Sequence, residues 1–135
     1  MSPAPHFDLA RLRLGAGRRI LLIENEPLIA RMITTALLRD GHLVDHCPSG
    51  AEALEAITRE QLRPEAVICS LNLADECGLA TCRDLRDLLP AAPVIVITGG
   101  DPALVRGELL EDLNLHLLLK PFGVQKLRRR LGSLL

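Results

Sequence analysis

Five polar side chains stand at the ends of apolar runs in this sequence. Glu24 and Asn25 follow Ile20-Leu21-Leu22-Ile23, and Ser70 follows Ala66-Val67-Ile68-Cys69. Thr98 follows Val94-Ile95-Val96-Ile97, and Lys120 follows Leu115-His116-Leu117-Leu118-Leu119. Together they offer one carboxylate, one amide, two hydroxyls and one ammonium. Oxygen donors suit a hard cation, and a fixed ammonium suits an anion. A single carboxylate nevertheless holds a hard divalent cation weakly, because binding depends on the charge and number of oxygen ligands. A serine hydroxyl becomes a nucleophile only beside a base. None of the four histidines, His6, His42, His46 and His116, falls at one of these ends.

The elements that must position these residues alternate along the chain. Arg19–Ile23, His42–Cys47, Ala66–Cys69, Val94–Ile97 and Leu115–Leu119 read as strands, most of them the continuous apolar runs of strands buried on both faces. Between them lie helical stretches. Leu28, Ile29, Met32, Ile33, Ala36 and Leu37 recur at helical spacing after Pro27, and Gly41 suits the cap. Ser49-Gly50-Ala51-Glu52 reads as a capping box ahead of Ala53, Leu54 and Ile57. A third helix is expected over 78–89 and a fourth from Asp101 to about Leu113. Val124, Leu127, Leu131 and Leu134 stripe the last. Strands alternating with helices through short loops predict an α/β fold with a parallel sheet covered on both faces. In such sheets the working residues lie at the carboxyl ends of the strands.

The chain has 135 residues with a formal net charge of −1, which suits one domain and leaves no global field for nucleic acid or an anionic membrane. With two Phe, no Tyr and no Trp, it lacks a stacking platform for single strands. No apolar run reaches 18 residues, and residues 1–6 lack the apolar core of a signal peptide. Cys47, Cys69, Cys77 and Cys82 include no C-x-x-C pair and read as reduced thiols in a cytoplasmic protein. Gly15-x-Gly17 precedes the first strand, which excludes a dinucleotide fingerprint. Residues 1–17 form an N-terminal arm and 18–135 the domain.

Over residues 18–135 the sequence resembles a response-regulator receiver domain. The resemblance rests on Ile23-Glu24-Asn25-Glu26-Pro27, on Cys69-Ser70-Leu71-Asn72-Leu73 with Gly78, on Ile97-Thr98-Gly99-Gly100, and on Leu119-Lys120-Pro121-Phe122. It implies a doubly wound, CheY-like (flavodoxin-like) sheet with strand order 2-1-3-4-5. It also implies phosphoryl transfer from a histidine kinase to an aspartate, Mg²⁺ held by acidic residues after strand one, and Thr98 and Lys120 contacting phosphoryl oxygens. Lys120-Pro121 is implied to be cis.

The chain departs from that pattern at the chemistry. Ser70 holds the phosphoacceptor position, the acidic pair is thinned to Glu24 and Asn25, and Leu117 holds the switch position where the family carries an aromatic. Ala74 replaces a common proline. The residues therefore predict a degenerate phosphorylation site (Ser70, Thr98, Lys120) and a degenerate metal site (Glu24, Asn25), with Mg²⁺ binding lost or very weak. Glu24 and Lys120 are expected to neutralise each other, with Lys120 reaching toward Ser70 or Glu24. Asp75 and Glu76 read as loop charges. The expected function is a phosphorylation-independent pseudo-receiver that is not an enzyme and binds a signalling protein such as a histidine kinase or another regulator. The alternative is a true phosphotransfer receiver, with a substitute acceptor or with Ser70 engineered in place of aspartate. With a near-neutral charge and no membrane-spanning run, neither nucleic acid nor membrane is an expected partner, and unless the chain is a fragment its signal is expected to leave by protein contact. Glu108, Glu111 and Asp112 on the fourth helix, opposite Lys126, Arg128, Arg129 and Arg130 on the last, suggest a weak, salt-sensitive homodimer.

Overall fold

The computed structural model describes residues 17–70, 76–99, 111 and 113–135, with 76 and 77 described by backbone alone. Strands β1 (Arg19–Ile23), β2 (Leu43–Cys47), β3 (Ala66–Ser70), β4 (Val94–Thr98) and β5 (Leu115–Leu119) form one sheet in the order β2-β1-β3-β4-β5. Every neighbouring pair is parallel. Helices α1 (Pro27–Arg39), α2 (Gly50–Arg59), α3 (Glu76–Leu88) and α4 (Val124–Leu134) cover it. Both the class and the strand order are those implied by the resemblance. Sixteen of the arm's 17 residues, and all of the fourth expected helix but Glu111 and Leu113, lie outside the described residues. Glu111 is helical and Leu113 is in a turn.

Side chains on a strand alternate faces, so each apolar run supplies two layers of core. Leu21, Ile23, Val67, Cys69, Val94 and Val96 meet Ala53 and Ile57 of α2 and Cys82 and Leu85 of α3. Ile20, Leu22, Ala66, Ile68, Ile95 and Ile97 meet Ala30, Ile33 and Leu37 of α1 and Leu127 and Leu131 of α4. Ile23 pairs with Cys47 on one side and Cys69 on the other, and Ser70 pairs with Ile97. The strand ends therefore align at one rim.

Local chemistry ends the helices where the sequence marks them. Ser49 Oγ accepts the Glu52 amide at 3.2 Å, which caps α2. Gly41, at φ 89°, closes α1: its amide donates to the Leu38 carbonyl, and the His42 amide donates to that of Leu37. That pair of bonds is the Schellman arrangement. Two expectations need correction. Leu28 is 79% exposed and Met32 44%, so the buried stripe of α1 is Ala30, Ile33, Ala36 and Leu37. At about 100° per residue, Leu28 lies roughly 140° around the helix from Ile33. Helix α3 begins at Glu76 rather than Gly78, which puts Glu76 in the helix and not in a loop.

Two arginines fasten the periphery. Arg128 of α4 binds both carboxylate oxygens of Asp40, at the end of α1, at 2.7 and 2.5 Å. It is therefore not available to a second copy. Arg130 donates to the Leu117 carbonyl at 3.3 Å, which leaves Lys126 and Arg129 as the exposed cations of the expected dimer face. Arg86 donates to five carbonyls: Leu89, Pro90 and Ala92 after α3, and Leu113 and Asn114 before β5.

Arg86→Lys offers three donors from a single point and cannot span both groups of carbonyls, so its urea midpoint falls by an amount equivalent to about 2 kcal/mol. An unchanged midpoint would contradict that role. The hydrogen bond from Arg128, joined by its charge, holds the Asp40 carboxyl below its ordinary 3.8. A lowered folded value means stability that is present above the ordinary value and lost as pH falls through the folded one. Asp40→Asn is therefore less stable than the parent at pH 7, and the difference shrinks as acidification protonates the Asp40 carboxyl in the folded protein. Thermal melts from pH 7 downward measure it.

Candidate functional site

The rim built by β1, β3, β4 and β5 gathers the five polar residues. Glu24 follows β1 directly and is only 2% exposed. Ser70 ends β3, one step beyond the Ile23–Cys69 pair, and its hydroxyl donates to Glu24 Oε1 at 2.5 Å. The Glu26 amide donates to Oε2 at 3.0 Å. The Glu24 backbone is held as well, its amide donating to the Cys47 carbonyl at 3.1 Å. His46 Nε2 donates to the Glu24 carbonyl at 2.7 Å, so that nitrogen carries the proton. Glu24 is thus fixed at both carboxylate oxygens, its amide and its carbonyl.

The other residues sit differently. Thr98 ends β4, is buried, and its carbonyl accepts the Lys120 amide at 2.9 Å. Lys120 is exposed, and its aliphatic stem lies against Gly99, where an added Cβ would stand 3.6 Å from Lys120 Cδ. The Lys120–Pro121 bond is cis. Asn25, next in sequence to the buried Glu24, is exposed. Leu117 is half-buried and packs on the core shared with α2 and α3.

The expected charge pairing is not what joins this site. Among the described residues Lys120 makes no ion pair with Glu24 and no hydrogen bond to Ser70. A neutral hydroxyl satisfies the carboxylate instead, and the ammonium keeps its hydration. Nor are the histidines all remote. His46, next to last on β2, reaches the Glu24 carbonyl across the β1–β2 pair, where its register partner is Leu22. The signal for it is its place beside the first strand's end, which strand pairing reveals and residue spacing does not. His116 lies mid-strand in β5; burial, then the charges of Arg130 and Arg86, push its imidazole below the ordinary 6.5.

This arrangement tests poorly as a divalent cation site. Among the described residues Glu24 is the buried carboxylate, each of its oxygens accepts from a donor, and Asn25 is exposed. Among the described residues, no three His, Cys, Asp or Glu side chains come together as a metal-holding group. As chemistry, the rim offers a pinned carboxylate–hydroxyl pair, a buried threonine and one solvated cation. Removing the hydroxyl leaves a buried carboxylate oxygen without its donor, so Ser70→Ala costs about 1–3 kcal/mol. Asn25→Ala, at an exposed position, stays within about 0.5 kcal/mol. Chemical denaturation of both variants checks the contrast, and equal midpoints would remove the Ser70–Glu24 bond from the account.

Comparison with known proteins adds to this geometry. The family model for the response regulator receiver domain matches residues 20–132. The chain is 30% identical over 121 residues to the probable transcriptional regulatory protein TcrX of Mycobacterium tuberculosis, covering 90% of this chain and 51% of that protein. It is 30% identical over 117 residues to the response regulator MprA of Mycobacterium leprae, covering 87% and 50%. The chain thus spans about half the length of these curated relatives. Among solved structures, the Vibrio cholerae chemotaxis protein CheY4 superposes with a TM-score of 0.74 at 21% identity, covering 89% of this chain and 100% of that one. The BeF3-activated N-terminal receiver domain of Klebsiella pneumoniae RstA superposes at 0.70 with 28% identity, covering 85% and 96%.

Proposed function

This chain belongs to the response regulator receiver domain family, and we propose that it serves two-component-type signalling as a pseudo-receiver, a protein-binding scaffold that accepts no phosphoryl group. Receiver domains are signalling modules that interact with kinases and other signalling proteins; the reading keeps that role and drops the chemistry. The observation that carries it is the Ser70 hydroxyl donating to Glu24. The acceptor position holds a neutral donor, and the carboxylate that would serve a cation is already satisfied. Ser70, Thr98 and Lys120 then mark a degenerate phosphorylation site, Glu24 and Asn25 a degenerate metal site, and Leu117 a switch position without a polar tip.

The rival reading, a true phosphotransfer receiver with a substitute acceptor, would have Glu24 act on Ser70 rather than merely be satisfied by it. A carboxylate at 2.5 Å from a serine hydroxyl is a base beside a candidate nucleophile. Both readings keep the protein partner; they differ in whether the rim changes state. For either, the partner is a histidine kinase or another regulator. Among the described residues no helix is long and apolar enough to cross a membrane.

The unaltered chain is incubated with millimolar Mg²⁺ and a small phosphodonor, or with a beryllofluoride mimic of the phosphoryl group. The proposal expects an unchanged amide spectrum and no added phosphate by mass. Ser70→Asp labels slowly at best, because Asn25 leaves the cation short of a carboxylate, and adding Asn25→Asp speeds labelling. Robust phosphorylation of the unaltered chain at Ser70 or any other residue of this rim would overturn the reading and establish its rival.

A further inference from the structure

The start of the first strand is held by a ring nitrogen as well as by backbone. The Arg18 amide donates to His42 Nδ1 at 3.0 Å, and the Leu43 amide donates to the Arg18 carbonyl at 2.9 Å. Residues 42 and 43 thus grip the amide and the carbonyl of Arg18, one step before the Arg19–Leu43 pair. One of those two grips is a side chain that titrates. We propose that His42 is a pH-sensitive latch, which holds the start of β1 while its ring is neutral and releases it on protonation.

A backbone amide can only donate, so His42 Nδ1 offers its lone pair and the neutral ring carries its proton on Nε2. Protonation puts a hydrogen on Nδ1, where it meets the Arg18 N–H donor to donor. The bond and the charged ring are mutually exclusive, and the ring or the chain must turn away. Imidazole is the side chain that ordinarily changes charge between about pH 5 and 8. A hydrogen bond accepted by the neutral form opposes protonation. Its contribution is therefore full above the ring's titration and lost as pH falls through it.

The charges around the ring are themselves paired. Asp40, at the end of α1, acts on His42 through its charge and favours the protonated ring, but Arg128 of α4 binds both oxygens of that carboxylate. At the start of the sheet Arg18 pairs with Glu65 at 3.5 Å and Arg19 with Asp45 at 2.8 Å. Release is local, since the Arg18 carbonyl bond and the Glu65 ion pair do not depend on the ring. What it changes is the hold on the peptide that joins Gly17 to Arg18, where residues 1–17 enter the domain. The latch lies at the amino end of the sheet and works whether or not the opposite rim accepts phosphate.

The test is nuclear magnetic resonance on the full chain between about pH 8 and pH 5. The nitrogen shifts of the neutral ring are expected to show the Nε2–H tautomer. As the His42 Cε1 proton reports protonation, the Arg18 amide is expected to lose its exchange protection factor about fivefold, the loss of one hydrogen bond, with the same midpoint. His42→Asn, whose Oδ1 stands in for Nδ1 and does not titrate, keeps the protection across the range, and His42→Phe lacks it throughout. The proposal is overturned if the neutral ring carries its proton on Nδ1, or if Arg18 keeps its protection while the ring charges. It is equally overturned if His42→Asn shows the pH dependence of the parent. The measurements on the unaltered chain decide the matter even where a variant does not fold.

Discussion

A carboxylate buried at the end of the first strand is the constraint around which the rim is organised. Taking an ionised group out of water costs several kcal/mol unless donors replace the lost hydration. Glu24 receives two, the Ser70 hydroxyl and the Glu26 amide, one on each oxygen. It also lies three residues ahead of Pro27, where α1 begins, and the N-terminal end of a helix favours a nearby negative charge. No ion pair to Glu24 within 4 Å occurs among the described residues. The charge is held by dipoles. That is why the identity of residue 70 matters to folding as well as to chemistry.

The geometry that makes this possible comes from the sheet. A parallel sheet aligns its carboxyl ends, and the pairing of Ile23 with Cys69 brings the next residues, Glu24 and Ser70, side by side. Two core layers fix that register, since a slip of one residue would turn every buried Ile, Leu and Val to the wrong face. Arg86 and Arg128 act further out. One bridges the turn after α3 to the turn before β5, and the other joins the first helix to the last. Neither touches the rim, yet both fix the elements whose ends compose it.

Much of this is legible in the residues. The apolar runs give all five strands, Ser49 and Gly41 mark a helix start and a helix end, and Glu24, Ser70, Thr98 and Lys120 do meet at one rim. What the residues leave open is pairing at the scale of single bonds. Formal charge favours Glu24 with Lys120, but reach favours the short Ser70 side chain, which already sits on the neighbouring strand. Lys120 has a long stem that gains contact over Gly99 while its ammonium stays wet. His46 enters through strand pairing, and Leu28 and Met32 are apolar without being inward. Each miss is a matter of direction, which spacing constrains only loosely.

At this rim the Glu24 carboxylate is satisfied by a serine hydroxyl and a backbone amide. Several carboxylates crowded together repel one another, and such a site is stabilised by a cation and disturbed by a new anion. One carboxylate facing a hydroxyl has no such repulsion. On the proposed pseudo-receiver reading, occupancy by metal or phosphate would then have little free energy to exchange with the rest of the molecule. A ligand shifts a conformational equilibrium only by its differential affinity for the two states. Where the pocket is already satisfied, that difference is small, and Leu117 offers no polar group whose burial could change with it. The surface presented to a partner is then set by packing: the core under α1 and α4, the carbonyl clamp of Arg86, and the Asp40–Arg128 pair.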